Sequence, residues 1–469
     1  MKNFSAIPAF PMVCIDSRPH IPAHLARASL PLWNLVRNKE AEIGAETRIR
    51  LQVGKIRLLL HVDPVSDAAE PYFLRLSPSV LKKTGLEKQK YGFFWDEKNQ
   101  ILRIGPVVGI MAEATRDTLR PFHKQTVFFA QMLEEAAHCG VLAYVFSPSD
   151  VKEHRQLLHG SVLKNGRWIQ KFFPFPDVVY PRHSGYAVHA LRIREKMKNR
   201  GASFINPPLI GKWKTFRILS RYPELKEHIP DTERVQTVQS IHDMLEKWQA
   251  VFVKPINGSQ GKNIIRIEKG KQEYSYQYQA NQKMHRGSAA DLRRVFFRLR
   301  RVMAGQSHIV QQQIRLLRVE NRVADVRVIV QKNHFNHWQV TGKAFRIGYS
   351  GSITSNISSG GYAQPVKRVL NSIFSVPQTE ALVEKIDWLA LQTAQKLEEN
   401  MGSIGEFGID IGVDTDGKVW LIEANLKPGR QVFSLLNDPD GRQRSVRMPL
   451  LYARFLAGFE AEEKEAGDV

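Results

Sequence analysis

Cysteine is scarce. Cys14 and Cys139 are the two in 469 residues, and they show no paired spacing. That excludes a disulfide framework and a zinc site built on thiolates, and two isolated thiols suit a reducing compartment. Long apolar runs are missing too. No stretch approaches the roughly 18 residues of a membrane span. The opening "MKNFSAIPAFPMVCIDSRP" is broken by Pro8 and Pro11, unlike a secretory signal. Acids are outnumbered: 46 Asp and Glu stand against 68 Lys and Arg, a formal charge of +22. An excess of that size points either to an anionic partner or to a basic solubility shell. The expectation is a soluble cytoplasmic protein.

Enough apolar residues are present for real cores, at 43% of the chain. The length suggests about three domains. Residues 1–105 read as strand-rich, with "TRIRLQVGKIRLLLHVD" and "GFFWDEKNQILRIGP" carrying short apolar runs between turn residues. From 106 to 205 the texture becomes α/β. A buried strand at Val107 to Met111 leads to a helix with Phe129, Met132, Leu133 and Ala136 on one face, then Gly140 and the strand "VLAYVF". Residues 206–469 form the third region, with a strand-rich lid at about 230–312. The fold class expected is α/β, in the mixed α+β sense.

Two hairpins carry the candidate chemistry. The first is "VKPINGSQGKNIIRIEKG". It is not a P-loop, because Ile256 stands where a phosphate loop needs glycine and Asn263 follows Lys262. An alternating strand follows it, so it is not a dinucleotide fingerprint either. On its own it reads as an ordinary hairpin, although Gly258, Ser259, Gln260, Gly261 and Lys262 would let backbone N–H groups approach phosphates and Lys254 would bring an ammonium.

The second is "GIDIGVDTDGKVWLIEAN". A two-residue Asp416-Gly417 turn would set Asp410 opposite Glu423 and put Glu423 and Asn425 on one face. A three-residue loop would break that pairing. Facing carboxylates repel, so something must neutralise them. Mg²⁺ held by Asp410, Glu423 and Asn425 is one answer; a nearby Lys or Arg is the other.

Together these hairpins resemble the ATP-grasp superfamily from about Asn206 onward. "GKWKTFRIL" is similar to its first nucleotide-contacting lysine segment, at Lys212, and "FVKPINGSQGKNI" to its second, at Lys254. "IVQQQI" resembles its adenine-contacting hinge, which assigns Gln311, Gln312 and Ile314, with Glu320 as a candidate ribose contact. "SNISSGG" resembles a stretch of the amino-acid and protein glutamate ligases of that superfamily, while "KWKTFRIL", "DVRVIVQKN", "WQVTGKAFRIG" and the small α/β region ahead of them resemble the YheC/YheD group, associated with the endospore coat of spore-forming bacteria.

The resemblance implies ATP and Mg²⁺ (or Mn²⁺) as cofactors. It implies ligation of a carboxylate to an amine through an acyl phosphate, with Arg327 and Arg346 as catalytic groups. A catalytically silent coat protein on the same fold is the alternative. The charge suggests an acidic peptide or coat component as substrate. Nucleic acid is disfavoured: Arg293, Arg294, Arg298, Arg300 and Arg301 read as a solvated helix with arginines on several faces.

Overall fold

The computed structural model describes residues 10–36, 48–66, 70–152, 157–183, 188–208, 211–258, 263–280, 283–303, 305–353, 355 and 360–459. It divides into two compact units. One comprises Met1–Pro208, Lys332–His337 and Gln443–Val469; the other comprises Leu209–Gln331 and Trp338–Arg442.

In the first unit, seven strands close into a barrel: β1 (Met12–Ser17), β2 (Leu25–Ser29), β3 (Arg48–Val53), β4 (Ile56–Val65), β5 (Phe73–Leu76), β6 (Lys90–Asp96) and β7 (Ile101–Gly105), in the order β1-β5-β2-β4-β3-β7-β6. Alternate residues point inward, as a pleated strand requires. Val13, Ile15, Ile49, Leu51 and Val53 form part of this core.

A six-stranded sheet follows, built from β8 (Val107–Met111), β9 (Leu142–Phe146), β10 (Leu157–Lys164), β11 (Arg167–Pro174), β12 (Val178–Pro181) and β13 (Ser203–Phe204). The βαβ reading holds. β8 pairs in parallel with β9, and the crossover contains helix α1 (Thr126–His138). β10 and β11 meet at Asn165-Gly166, both at positive φ, the chemistry a type I′ hairpin turn demands.

The second unit has two six-stranded sheets. The lid sheet runs β14 (Thr232–Arg234), β19 (His308–Gln312), β15 (Ala250–Pro255), β16 (Ile265–Lys269), β17 (Tyr274–Ala280), β18 (Lys283–Ala289). Helices α2 (Val238–Trp248) and α3 (Leu292–Met303) cover one face. Ile241, Leu245, Val295 and Leu299 pack there on Val251, Val253, Ile265 and Ile267. Pleating therefore turns Lys254, Arg266 and Gln311 to the other face.

One sequence expectation fails on α3. Its five arginines do not spread over several faces. Leu292, Val295 and Leu299 are buried, and the arginines share the remaining arc.

The second sheet comprises β20 (Arg318–Val319), β21 (Arg322–Lys332), β22 (Trp338–Ile347), β23 (Tyr362–Gln364), β24 (Glu406–Val413) and β25 (Val419–Asn425). Its main order is β23-β22-β21-β24-β25, with β20 on β21. Helix α4 (Val376–Met401) starts at a Ser375–Gln378 capping box. It buries Leu382, Ile386 and Leu389 against Val326, Val328, Val330, Phe407, Ile409 and Ile411. The alternating set Asp325, Arg327, Asp410 and Glu406 is thereby sent to the opposite face.

Candidate functional site

The acidic hairpin forms, but not by the expected turn. Val413 pairs with Val419 and Asp414 N donates to Lys418 O at 3.0 Å, which leaves a three-residue loop of Thr415, Asp416 and Gly417. Asp414 ties it: one carboxylate oxygen accepts from Asp416 N (3.0 Å) and Lys418 N (2.8 Å), the other from Trp420 Nε1 (2.8 Å). Gly417 takes φ +81°, which a side chain would resist.

That loop alone would put Ile422 opposite Asp410 and turn Glu423 toward α4. A β-bulge between Asp410 and Ile411 corrects it: Ile411 faces Leu421 and Asp410 faces Glu423, so Ile422 is the extra residue. His228 pins β25 just before the bulge. Its carbonyl accepts from Leu421 N at 2.8 Å, and its Nδ1 lies 2.8 Å from Val419 O. The three-residue loop that should have broken the carboxylate pair is offset by one inserted residue.

Both acids already have basic partners. Arg327 stands directly across from Asp410 in the sheet register. Its Nε and Nη2 both donate to that carboxylate, the latter at 3.0 Å. A Cβ at Gly408 would lie 3.0 Å from Pro428 Cβ and 3.4 Å from Arg327 Cδ and Nη1. Arg346 bonds Asp325 Oδ1 through Nε at 2.8 Å and reaches Asp410 Oδ2 at 3.0 Å. Burial works against the Arg346 charge, but Asp325 and Asp410 outweigh it and raise its pKa. Burial likewise opposes the Asp410 charge, and Arg327 and Arg346 overcome it to hold the carboxyl below its usual range. Arg327 and Arg346 are thus fastened to acids.

Lys212 and Lys254 are set differently. Lys212 opens helix α5 (Lys212–Leu219), which precedes the lid in the chain. Its N donates to Ile256 O at 3.0 Å, and its Nζ reaches both Gly258 O and Glu423 Oε1, the latter at 2.9 Å. Lys254, 9% exposed, bonds no carboxylate among the described residues; its Nζ donates to Gln311 Oε1 at 2.6 Å. Gln311 Nε2 in turn donates to Thr232 Oγ1 at 2.9 Å, and Thr232 Oγ1 to Pro230 O at 2.8 Å. Burial pushes the Lys254 ammonium down to about 8; Glu423 acts upward on it and Lys212 downward. A buried ammonium with a neutral partner and a depressed pKa favours an incoming anion.

Other sequence candidates are less central. Gln312 Oε1 accepts from Asp231 N at 3.2 Å and Gln313 Oε1 from Arg266 Nε at 2.7 Å, so the hinge glutamines use their carbonyl oxygens on neighbouring strands. Ile314 follows β19, and its carbonyl accepts from Leu316 N at 3.0 Å. Glu320 sits exposed on the β20–β21 turn, with φ +50°. Asn425 faces Gly408, one alternation beyond Glu423. Ser259, Gln260, Gly261 and Lys262 lie outside the described residues, as does Asn356.

Sequence reading missed the Thr232–Gln311 relay and the fully buried Glu406, which accepts from Gln331 (3.0 Å) and Arg430 (2.7 Å) and so holds the chain after β25. An acid inside the apolar run "IGEFGIDIGV" was a signal for Glu406; nothing marked Thr232.

Among the described residues, no three His, Cys, Asp or Glu side chains gather as a metal site. A cation here would rest on Glu423, the Asn425 amide and the ligand's own oxygens, a donor set that suits a hard ion such as Mg²⁺. Asp410 fits less well, with both oxygens already on guanidinium groups. No described helix is long and apolar enough to cross a membrane.

A lysine-bearing lid sheet and an acidic hairpin brought together by Lys212 define an ATP-grasp fold. Residues 201–456, more than half of the chain, match the YheC/D-like ATP-grasp family model, and the chain belongs to that family. It is 26% identical over 365 residues to the endospore coat-associated protein YheD of Bacillus subtilis (strain 168), covering 76% of this chain and 80% of that protein. With YheC of the same organism it shares 24% over 343 residues, covering 72% and 94%. Among solved structures, D-cycloserine synthetase DcsG is 12% identical with a TM-score of 0.46, over 75% of this chain and 99% of that one. That likeness is too loose to carry an activity across.

Proposed function

We propose that the chain binds ATP with a divalent cation and uses it to activate a carboxylate, as an acyl phosphate, for attack by an amine. The observation that carries this reading is the meeting of Lys212, Lys254 and Glu423. Two ammonium groups and one carboxylate converge, and the buried ammonium is held by the neutral Gln311 amide and the Phe252 ring. Lys212 and Lys254 would face phosphate oxygens. Glu423 and Asn425 would hold the cation, with Asp410 behind them. The cation's chemistry is to offset charge on the transferring phosphoryl group.

Arg327 and Arg346 act differently from the sequence expectation. Held by Asp410 and Asp325, they set the position of the acid and supply a fixed positive field. The adenine ring would lie along β19 and Ile314, recognised by backbone groups, because the glutamine carbonyls have partners. By analogy with the named relatives, the protein would work at the endospore coat, on an acidic peptide or coat component.

The engagement of Asp410 by two arginines favours a second reading: a coat-associated protein that binds ATP without turnover. ADP release assayed over candidate carboxylates, with hydroxylamine as the amine, separates them. Hydroxamate and ADP formed together support ligation. ATP binding without ADP release supports the silent protein, and absence of ATP binding overturns both.

A further inference from the structure

The face of α3 that turns away from the lid core is unusual in composition. At 3.6 residues per turn, Arg300, Arg293, Phe297, Arg301, Arg294 and Arg298 follow one another around an arc of about 160°, and all six are exposed. The rest of the helix buries Leu292, Val295 and Leu299. No acidic or neutral polar side chain interrupts the exposed arc.

An ordinary solvated face mixes charges, because like charges three or four residues apart repel. Here Arg294, Arg298 and Arg301 have that spacing. Asp291 answers Arg294 at 3.1 Å, while Arg293, Arg300 and Arg301 have no carboxylate partner among the described residues. In the middle of the arc Phe297 is 62% exposed, and the Arg300 guanidinium lies 4.3 Å from its ring centroid. Arginine and aromatic side chains dominate the binding energy of protein interfaces.

The arc continues into a strand edge. β18 is the last strand of the lid sheet. Arg298 Nη1 donates to Ser288 O on that strand, and Lys283, His285 and Arg286 along it are exposed. An open edge offers a row of main-chain donors and acceptors at the spacing of an added polypeptide strand.

We propose that α3 and the β18 edge form a docking surface for an acidic stretch of another polypeptide chain, one with an apolar side chain among its acids. Carboxylates would take the arginines in bidentate pairs, and the apolar residue would cover Phe297. The helix face is about 18 Å long, the span of about five or six extended residues. A nucleic acid would satisfy the cations but would leave the strand edge unused. A second copy of this +22 chain would bring the wrong charge. The surface does not depend on the ATP reading.

The test uses the full chain and a labelled peptide of about eight residues, glutamates around a central leucine, followed by fluorescence anisotropy. An oligodeoxythymidylate of equal charge is the competing probe. The peptide should bind, weaken with salt, and lose at least about tenfold in R293E/R300E/R301E. Phe297→Ser should lose several-fold and keep the salt dependence. Backbone amides of β18 should gain hydrogen-exchange protection with the peptide. Circular dichroism checks that the variants fold, and R293Q/R300Q/R301Q repeats the test without added acids. Tighter binding of the oligonucleotide, peptide affinity unchanged in both triple variants, no binding at all, or no protection along β18 would overturn the proposal.

Discussion

Two buried cations on the polar faces of the two sheets in the second unit, Arg346 and Lys254, are held in opposite ways. On β21 and β22 the arginines are tied to carboxylates: Arg327 to Asp410, and Arg346 to Asp325 and Asp410. On the lid sheet Lys254 is held by a neutral amide, itself fixed by Thr232. A paired buried charge is a structural element, and removing one partner strands the other. A buried charge with a neutral partner keeps its attraction for an anion. Similar burial thus gives one sheet a fixed frame and the other a binding group.

The sharpest way to break this comparison is to remove one cation from each side. Arg346→Ala should destabilise the protein by about 3–5 kcal/mol in urea unfolding, because buried Asp325 loses its arginine and Asp410 loses one of its two. Lys254→Met should leave stability equal or higher, by up to about 3 kcal/mol, since a poorly compensated buried charge goes. Equal losses from the two substitutions would erase the distinction. For ATP the order reverses: Lys254→Met should weaken binding by about 2 kcal/mol, roughly thirtyfold, measured by calorimetry.

The pH dependence sharpens the lid side further. Lys254 titrates at about 8 in the folded chain, below the roughly 10.4 of a free lysine. Between those values the unfolded chain holds the extra proton, so Lys254 makes stability rise with pH across that window. ATP affinity should run the other way and fall as pH passes about 8, when the ammonium is lost. Denaturant midpoints and calorimetry over the same pH range read both trends, and Lys254→Met should flatten both.

The smallest effect expected comes from Gln311→Glu. A carboxylate beside Lys254 would keep it charged to higher pH, so the fall in ATP affinity should move upward by about one pH unit, with little change at neutral pH. A profile that stays where it was would remove Gln311 from the control of Lys254.

Much of this was legible in the residues. The two-residue turn expected in "GIDIGVDTDGKVWLIEAN" set Asp410 against Glu423, a pairing the structure reaches by a three-residue loop and a bulge, and apolar periodicity in "VGIM" and "VLAYVF" gave the parallel pair. The turn was misread because Asp416-Gly417 suits both a two-residue and a three-residue loop, and the bulge at Ile422 leaves no local mark. The arginines of α3 misled for a related reason: spacing alone does not say which arc of a helix the lid core will bury. The Gln311–Thr232 contact joins residues 79 positions apart, which no local pattern encodes. Asp410's partners were foreseen only as an alternative to metal, because Arg327 and Arg346 arrive from two other strands.

The most direct measurement is calorimetry of ATP binding with Mg²⁺, on the wild type beside Glu423→Gln. Micromolar binding that weakens in the variant, most strongly when Mg²⁺ is present, is the result expected if Lys212, Lys254 and Glu423 form one nucleotide site. No binding by the folded wild type, or equal binding in the variant with and without Mg²⁺, would contradict it.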